Sequence, residues 1–210
     1  MEKTKTLGSG KRIAMTTVYF IRHSEAENSI RDGRIRPLTK KGMDDCALVT
    51  SFLQDKNIDV VLSSPYKRAV ETVRDFANEK GLQVLLVESF REHETISDNY
   101  PNNEYFAFIR EYWADFRYKV PNDESLSDVQ ERNITALNTV LCEYQNKNIV
   151  IGTHGTALST IINYYDNSYG FDGFLAMVKI KPWVVRMDFN NDRFVDMEKI
   201  DLFSVYRRTD

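Results

Sequence analysis

Four short, largely apolar runs, Thr17 to Ile21, Asp59 to Ser63, Leu82 to Val87 and Asn148 to Gly152, alternate with stretches whose apolar residues recur at helical spacing. Runs of strand length without polar alternation suit strands covered on both faces, as in a parallel sheet between two layers of helices. The βαβα order therefore predicts an α/β three-layer sandwich, a mostly parallel central sheet with helices on both faces. The last third differs. Phe174 to Ile180, Trp183 to Phe189 and Arg193 to Ile200 alternate at period two, and Asn190-Asn191-Asp192 supplies a turn, so the sheet should end in an antiparallel edge.

Local signals bound the helices. Thr39 can cap a helix carrying Met43, Cys46, Ala47, Thr50 and Leu53 at helical spacing, although Gly42 weakens its first turn. Ser64 and Pro65 supply an N-cap and a first-turn proline for a helix that Gly81 stops. Ser127 and Gln130 resemble a capping box ahead of the stripe Val129, Ile134, Leu137, Val140, Leu141 and Tyr144. A further helix should run from after Thr153-His154-Gly155 to about Tyr165.

A chain of 210 residues suits one α/β domain rather than two. Met1 to Ala14 offers nothing to bury and Met15 would serve as a start, so residues 1–15 are expected to be a disordered or appended extension and 16–210 a single domain. Lys and Arg number 28 against 31 Asp and Glu, a formal net charge of -3, which gives no bulk attraction to nucleic acid or an anionic membrane. No apolar run reaches membrane-spanning length and no signal-peptide core is present, so a cytoplasmic location is expected. Cys46 and Cys142 sit in helix-like segments without metal-ligand spacing and read as small buried hydrophobes, with no disulfide framework or zinc site.

Of three histidines, His23 and His154 follow directly on the ends of expected buried strands. Open α/β sheets bind ligands at the carboxyl ends of their strands, so two sites far apart in sequence can share one crevice. Arg22 precedes His23, and Arg68 lies in the first turn of the helix after Ser64-Pro65, where side chains lean toward the helix N-terminus. Two forked guanidiniums, two histidines and two helix N-termini, one of them after His154-Gly155, form a coherent pocket for a phosphoryl group.

In order along the chain, Arg22-His23-Ser24-Glu25-Ala26, Pro37-Leu38-Thr39-Lys-Lys-Gly42, Ser63-Ser64-Pro65-Tyr-Lys-Arg68-Ala69-Val-Glu-Thr72 and Thr153-His154-Gly155 resemble the histidine phosphatase superfamily, phosphoglycerate mutase branch, from about Thr17 to the C-terminus. The resemblance implies that His23 is the nucleophile, that Arg22, Arg68 and His154 surround the phosphoryl group, and that Glu92 gives the leaving oxygen its proton. It also implies that the non-attacking nitrogen of His23 is held by a backbone carbonyl near Ser24. Flanking arginines would favour the neutral, nucleophilic imidazole and would meet the phosphoryl charge, so neither metal nor other cofactor is expected.

Some positions depart from the family pattern. Ser24 stands where Gly or Ala is usual, so the turn after the nucleophile could differ or its hydroxyl could join the pocket, and the expected phosphate-binding Asn aligns with Ser29 while Asn28 lies one position early, so either could serve. His93 is read as facing solvent next to the acid, with substrate contact as the alternative. The variable cap, at about 93–125, is rich in rings, Tyr100, Tyr105, Phe106, Phe108, Tyr112, Trp113 and Phe116, which either pack as an ordinary helical stripe or wall the substrate site. The expected activity is hydrolysis of a small phosphate monoester through a phosphohistidine. The alternatives are a cofactor-dependent phosphoglycerate mutase, whose extra basic cap residues are not found here, and an inactive phosphate-binding module. The only partner expected is the small-molecule phosphate ester, and the oligomeric state is left open.

Overall fold

The computed structural model describes residues 15–94 and 102–206. The extension expected before Met15, and Tyr100 of the cap, lie outside the described residues. Six strands form one sheet in the order β3-β2-β4-β1-β5-β6. Strands β1 (Thr16–Arg22), β2 (Val60–Ser63), β3 (Val84–Leu86) and β4 (Asn148–Thr153) pair in parallel. Strands β5 (Trp183–Asn190) and β6 (Arg193–Ile200) add the antiparallel edge, turning at Asn191 with φ 55°. No described helix is long and apolar enough to cross a membrane.

Because successive strand side chains point to opposite faces, β1 feeds two cores. Val18 and Phe20 pack with Ile109, Tyr112 and Trp113 of α3 (Asn102–Ala114), Leu137 of α4 (Leu126–Glu143) and Leu158 of α5 (Gly155–Tyr165). Tyr19 and Ile21 pack on the other face with Val49 and Leu53 of α1 (Lys40–Leu53) and Val73 and Phe76 of α2 (Lys67–Lys80). This explains why the strand carries no polar alternation.

Several expected caps hold and others move. The Thr39 hydroxyl accepts from Gly42 N at 3.0 Å, and Gly81 ends α2 at φ 66°. Ser64 is not the N-cap of α2, whose cap is Tyr66; the Ser64 hydroxyl accepts from Tyr66 N at 3.3 Å and closes the turn before the helix. The capping box of α4 is Ser125 with Asp128, two residues earlier than expected, and Gln130 instead donates to Thr160 O at 2.9 Å on α5.

One element changes type. Phe174 to Ile180 is not a strand, because α6 spans Phe171–Val178 and buries Phe174 and Met177, three residues apart. A short run dense in apolar residues satisfies either period, and here docking of one side decided between them. Cys46 is buried as expected and Cys142 is exposed, on the outer side of α4.

Candidate active site

Parallel pairing brings three strand ends to one edge of the sheet, with Arg22 opposite Thr153 and Ser63 opposite Gly152. His23, Ser64 and His154 therefore start three neighbouring loops. The chain continues the ladder for one more bond on each side, His23 N to Thr153 O at 3.0 Å and Ser64 N to Gly152 O at 2.8 Å. The rings of His23 and His154 lie 5.4 Å apart, centroid to centroid.

His23 is 7% exposed, and its Nδ1 sits 2.6 Å from Ser24 O. A carbonyl only accepts, so the proton is assigned to Nδ1 and the lone pair to Nε2. Burial, then the charges of Arg68 and Arg22, push its pKa well below 6.5. The Ser24 hydroxyl does not join the pocket: the residue is fully buried, with Ser24 Oγ 3.7 Å from Cys46 Sγ and Ser24 N donating to Thr72 Oγ1 at 3.0 Å.

Arg22 Nη1 donates to Met177 O, Val178 O and Ile180 O at 2.6, 3.1 and 3.0 Å, where the carbonyl end of α6 favours a cation. Its Nε is buried without a protein partner. Burial lowers the guanidinium to about 10, against the Glu92 carboxylate, which leaves it cationic at neutral pH. Gly155 lets α5 start against this group, since a Cβ there would sit 3.4 Å from Arg22 Nε and Nη2 and 3.2 Å from Met177 Cε. Arg68 is buried, donates through Nη1 to Gly33 O at 2.6 Å and lies 5.1 Å from the Tyr66 ring centroid.

His154 is fully buried, pairs through Nε2 with Ser64 Oγ at 2.7 Å and has no protein partner at Nδ1. Burial, then Arg68 and His23, push its pKa well below 6.5. Both rings are therefore neutral at physiological pH.

Glu92 occupies the start of α5. Its Oε1 accepts from Ala157 N at 3.0 Å and from His93 N at 2.9 Å, and its Oε2 accepts from Thr156 N at 3.2 Å. The N–H groups expected to hold phosphate there are thus occupied by a carboxylate, as a helix N-terminus favours. At α2 the early donors are also used, Tyr66 N on Ser64 Oγ and Lys67 N on Arg34 O at 2.9 Å. Positive charge in the site comes from side chains rather than helix ends.

A cavity of about 430 Å³ is lined by Arg22, Asn28, Arg36, Glu92, Gly155 and Lys181, among others, with Tyr105, Phe106, Phe174 and Val178 as its apolar wall. The alternative reading of the cap holds for Tyr105 and Phe106, whereas Tyr112 and Trp113 fill the core. Asn28 reaches the cavity. Ser29 does not line it; it is exposed, with its N–H on Glu27 Oε1 at 3.2 Å. His93 faces neither solvent nor the cavity: it is 4% exposed, donates through Nε2 to Glu124 O at 2.8 Å and packs edge-on against Tyr112. A larger hollow of about 540 Å³, around Cys142 and Tyr164, has no cationic lining residue.

Three residues of this region were missed in the sequence. Arg36 and Lys181 line the cavity, and each precedes a proline, a backbone hint but not a chemical one. Burial, then Arg22 and Arg68, lower Lys181 to about 8. Arg132 of α4 donates to Ser89 O, Arg91 O and Glu92 O at 2.7, 2.8 and 3.0 Å while pairing with both oxygens of Glu124 at 2.9 Å. No local pattern announces that role.

Comparison with known proteins places the chain in a family. The chain is 25% identical to an uncharacterized phosphatase, PhoE, of Bacillus subtilis over 70% of this chain and 76% of that protein. It is 26% identical to a probable phosphoglycerate mutase, GpmB, of Escherichia fergusonii over 71% of this chain and 74% of that protein. The fold is shared with Bacillus stearothermophilus YhfR, at a TM-score of 0.70 and 20% identity over 86% of this chain and 94% of that one. The family model of the histidine phosphatase superfamily, branch 1, matches residues 18–192, and the chain belongs to that superfamily.

Proposed function

We propose that the protein is a phosphatase that hydrolyses small phosphate monoesters, without a metal, through a phosphohistidine on His23. The observation that carries this reading is the 2.6 Å contact between His23 Nδ1 and Ser24 O, which leaves the Nε2 lone pair for attack. In the first step, with Glu92 in its protonated form, Nε2 attacks phosphorus, the P–N bond forms as the ester P–O bond breaks, and Glu92 supplies the proton to the leaving oxygen. In the second, water attacks phosphorus as Glu92 takes its proton, the P–N bond breaks and inorganic phosphate leaves. Arg22, Arg68 and His154 hold the phosphoryl oxygens, so fixed donors meet the charge that builds on them. Among the described residues no group of three or more His, Cys, Asp or Glu is placed to hold a metal ion.

The competing reading is a phosphoglycerate mutase, supported by the GpmB relatives and by the basic residues Arg36 and Lys181 in the cavity. Against it, Arg91 is engaged by Glu124 and Arg110 lies 4.6 Å from the Phe171 ring centroid, and neither lines the cavity. Purified protein incubated with a monoester and excess chelator should release inorganic phosphate and, on quenching, carry an acid-labile phosphoryl group absent from His23→Ala. Loss of the rate in chelator would overturn the metal-free step. Efficient isomerisation of phosphoglycerate, primed by a bisphosphoglycerate and with little hydrolysis, would make mutase the correct reading.

A further inference from the structure

Helix α2 begins without the kind of cap that such a position favours. Ser, Thr, Asp or Asn is preferred at an N-cap, because a short side-chain oxygen there satisfies a first-turn N–H. Tyr66 holds the N-cap of α2, and its side chain makes no such bond. It is buried and engaged elsewhere. The Arg68 guanidinium carbon lies 5.1 Å from the Tyr66 ring centroid, and the His154 ring meets Tyr66 edge-on, also at 5.1 Å. The far end of the ring is tied down too, its hydroxyl donating to Glu94 Oε1 at 3.0 Å. Arg34 approaches the same centroid to 5.3 Å but is exposed and paired with Glu88 at 2.6 Å. A cation against an aromatic ring gains more when it is out of water, so the ring acts chiefly on the buried Arg68. A Cβ on Gly33 would stand 3.5 Å from Tyr66 Cε2 and 3.9 Å from Arg68 Nη1, so the loop closes over both side chains. Its carbonyl accepts from Arg68 Nη1 at 2.6 Å, which fixes one corner of the fork while the ring restrains the rest.

Resting on the phosphatase reading above, we propose that Tyr66 is a positioning residue of the phosphoryl site, whose ring fixes the orientation of the Arg68 guanidinium without itself touching the transferring group. Donors already in place stabilise developing charge best, because they need not reorient as the reaction proceeds. The edge contact with His154 and the hydroxyl bond to Glu94 hold the ring, and the ring in turn holds Arg68. An aliphatic side chain could fill much of this space, but it would offer neither the aromatic ring nor the hydroxyl.

The test is a double-mutant cycle read as kcat/KM on an aryl phosphate. Tyr66→Leu and Tyr66→Met should each lose at least tenfold, and Tyr66→Phe, which keeps the ring, should recover the rate to within threefold of wild type. In an Arg68→Met background no guanidinium is left to orient, so Tyr66→Leu should there cost less than threefold. A Tyr66 that serves the fold alone would lose the same factor in both backgrounds. That result, or a Tyr66→Phe as slow as Tyr66→Leu, would overturn the proposal. The same cycle is read without turnover as dissociation constants for inorganic phosphate on His23→Ala, where Tyr66→Leu should weaken binding at least fivefold with Arg68 present and less than twofold with Met in its place. A protein that hydrolyses no monoester, yet shows this non-additive loss of phosphate binding, would defeat the phosphatase reading and keep the positioning role. Monoester hydrolysis with equal losses in both backgrounds would do the reverse.

Discussion

Arg132 on α4 donates to the backbone carbonyl of Glu92 at 3.0 Å across 40 residues of sequence, and so holds the segment whose carboxylate meets Thr156 and Ala157 on α5. Its pairing with Glu124 leaves this guanidinium no freedom to reorient. If Glu92 protonates the leaving oxygen, Arg132 is its positioning residue. Arg132→Met should then slow alkyl phosphates at least tenfold more than an activated aryl phosphate, whose oxygen hardly needs the proton. Glu92→Gln should show the same pattern, and the double variant should be no slower than Glu92→Gln by more than about threefold. Equal losses on both substrate types would mean the clamp serves the fold alone.

Arg68 is the cation that most strongly depresses the pKa of both histidine rings, ahead of Arg22. If Arg68 holds the transferring group, Arg68→Ala removes a desolvated, charge-assisted donor from it and should cost at least ~3 kcal/mol of transition-state stabilisation, a hundredfold or more in kcat/KM. A loss below tenfold would show that the phosphoryl group sits elsewhere.

The same two rings make stability depend on pH. Their folded pKa values lie well below the ~6.5 of the unfolded chain, so between those values the unfolded state binds more protons. Stability should therefore fall as pH drops below ~6.5, by up to ~1.4 kcal/mol per unit for each ring, with no contribution from these groups above it. Asp128, held at about 2 by the Ser125 backbone N–H and Lys119, affects stability only at lower pH, below ~4. Denaturant titrations at pH 7.5 and 5.5 should show the loss, and His154→Gln should show a smaller one. An unchanged midpoint would contradict two neutral buried histidines.

Gly42 sits in the first turn of α1 where helix propensity favours Ala by ~1 kcal/mol. A Cβ there would lie 2.1 Å from Glu25 O, the carbonyl that accepts from Thr39 N at 3.0 Å. Gly42→Ala should therefore destabilise by ~1 to 3 kcal/mol despite the better propensity. A raised Tm would mean that the loop after His23 yields freely.

Much of the fold and half of the site were legible because they are local. Strand length, Thr39, Gly81 and the apolar stripe of α4 act on their own neighbourhoods, and His23 and the His154-Gly155 pair directly follow strand ends. Local rules failed where two patterns competed, as at α6, or where nearby serines offered rival caps, Ser125 against Ser127. The placement of β4 between β1 and β2 is a tertiary fact, and it makes neighbours of His23, Ser64 and His154. Tertiary packing alone also buried His93 against Tyr112, docked Glu92 at α5, and brought Arg36, Lys181 and Arg132 to their places. The reason is physical: a cap or a period is set within a few residues, whereas a long charged side chain finds its role from whatever the sheet order and helix packing put within its reach.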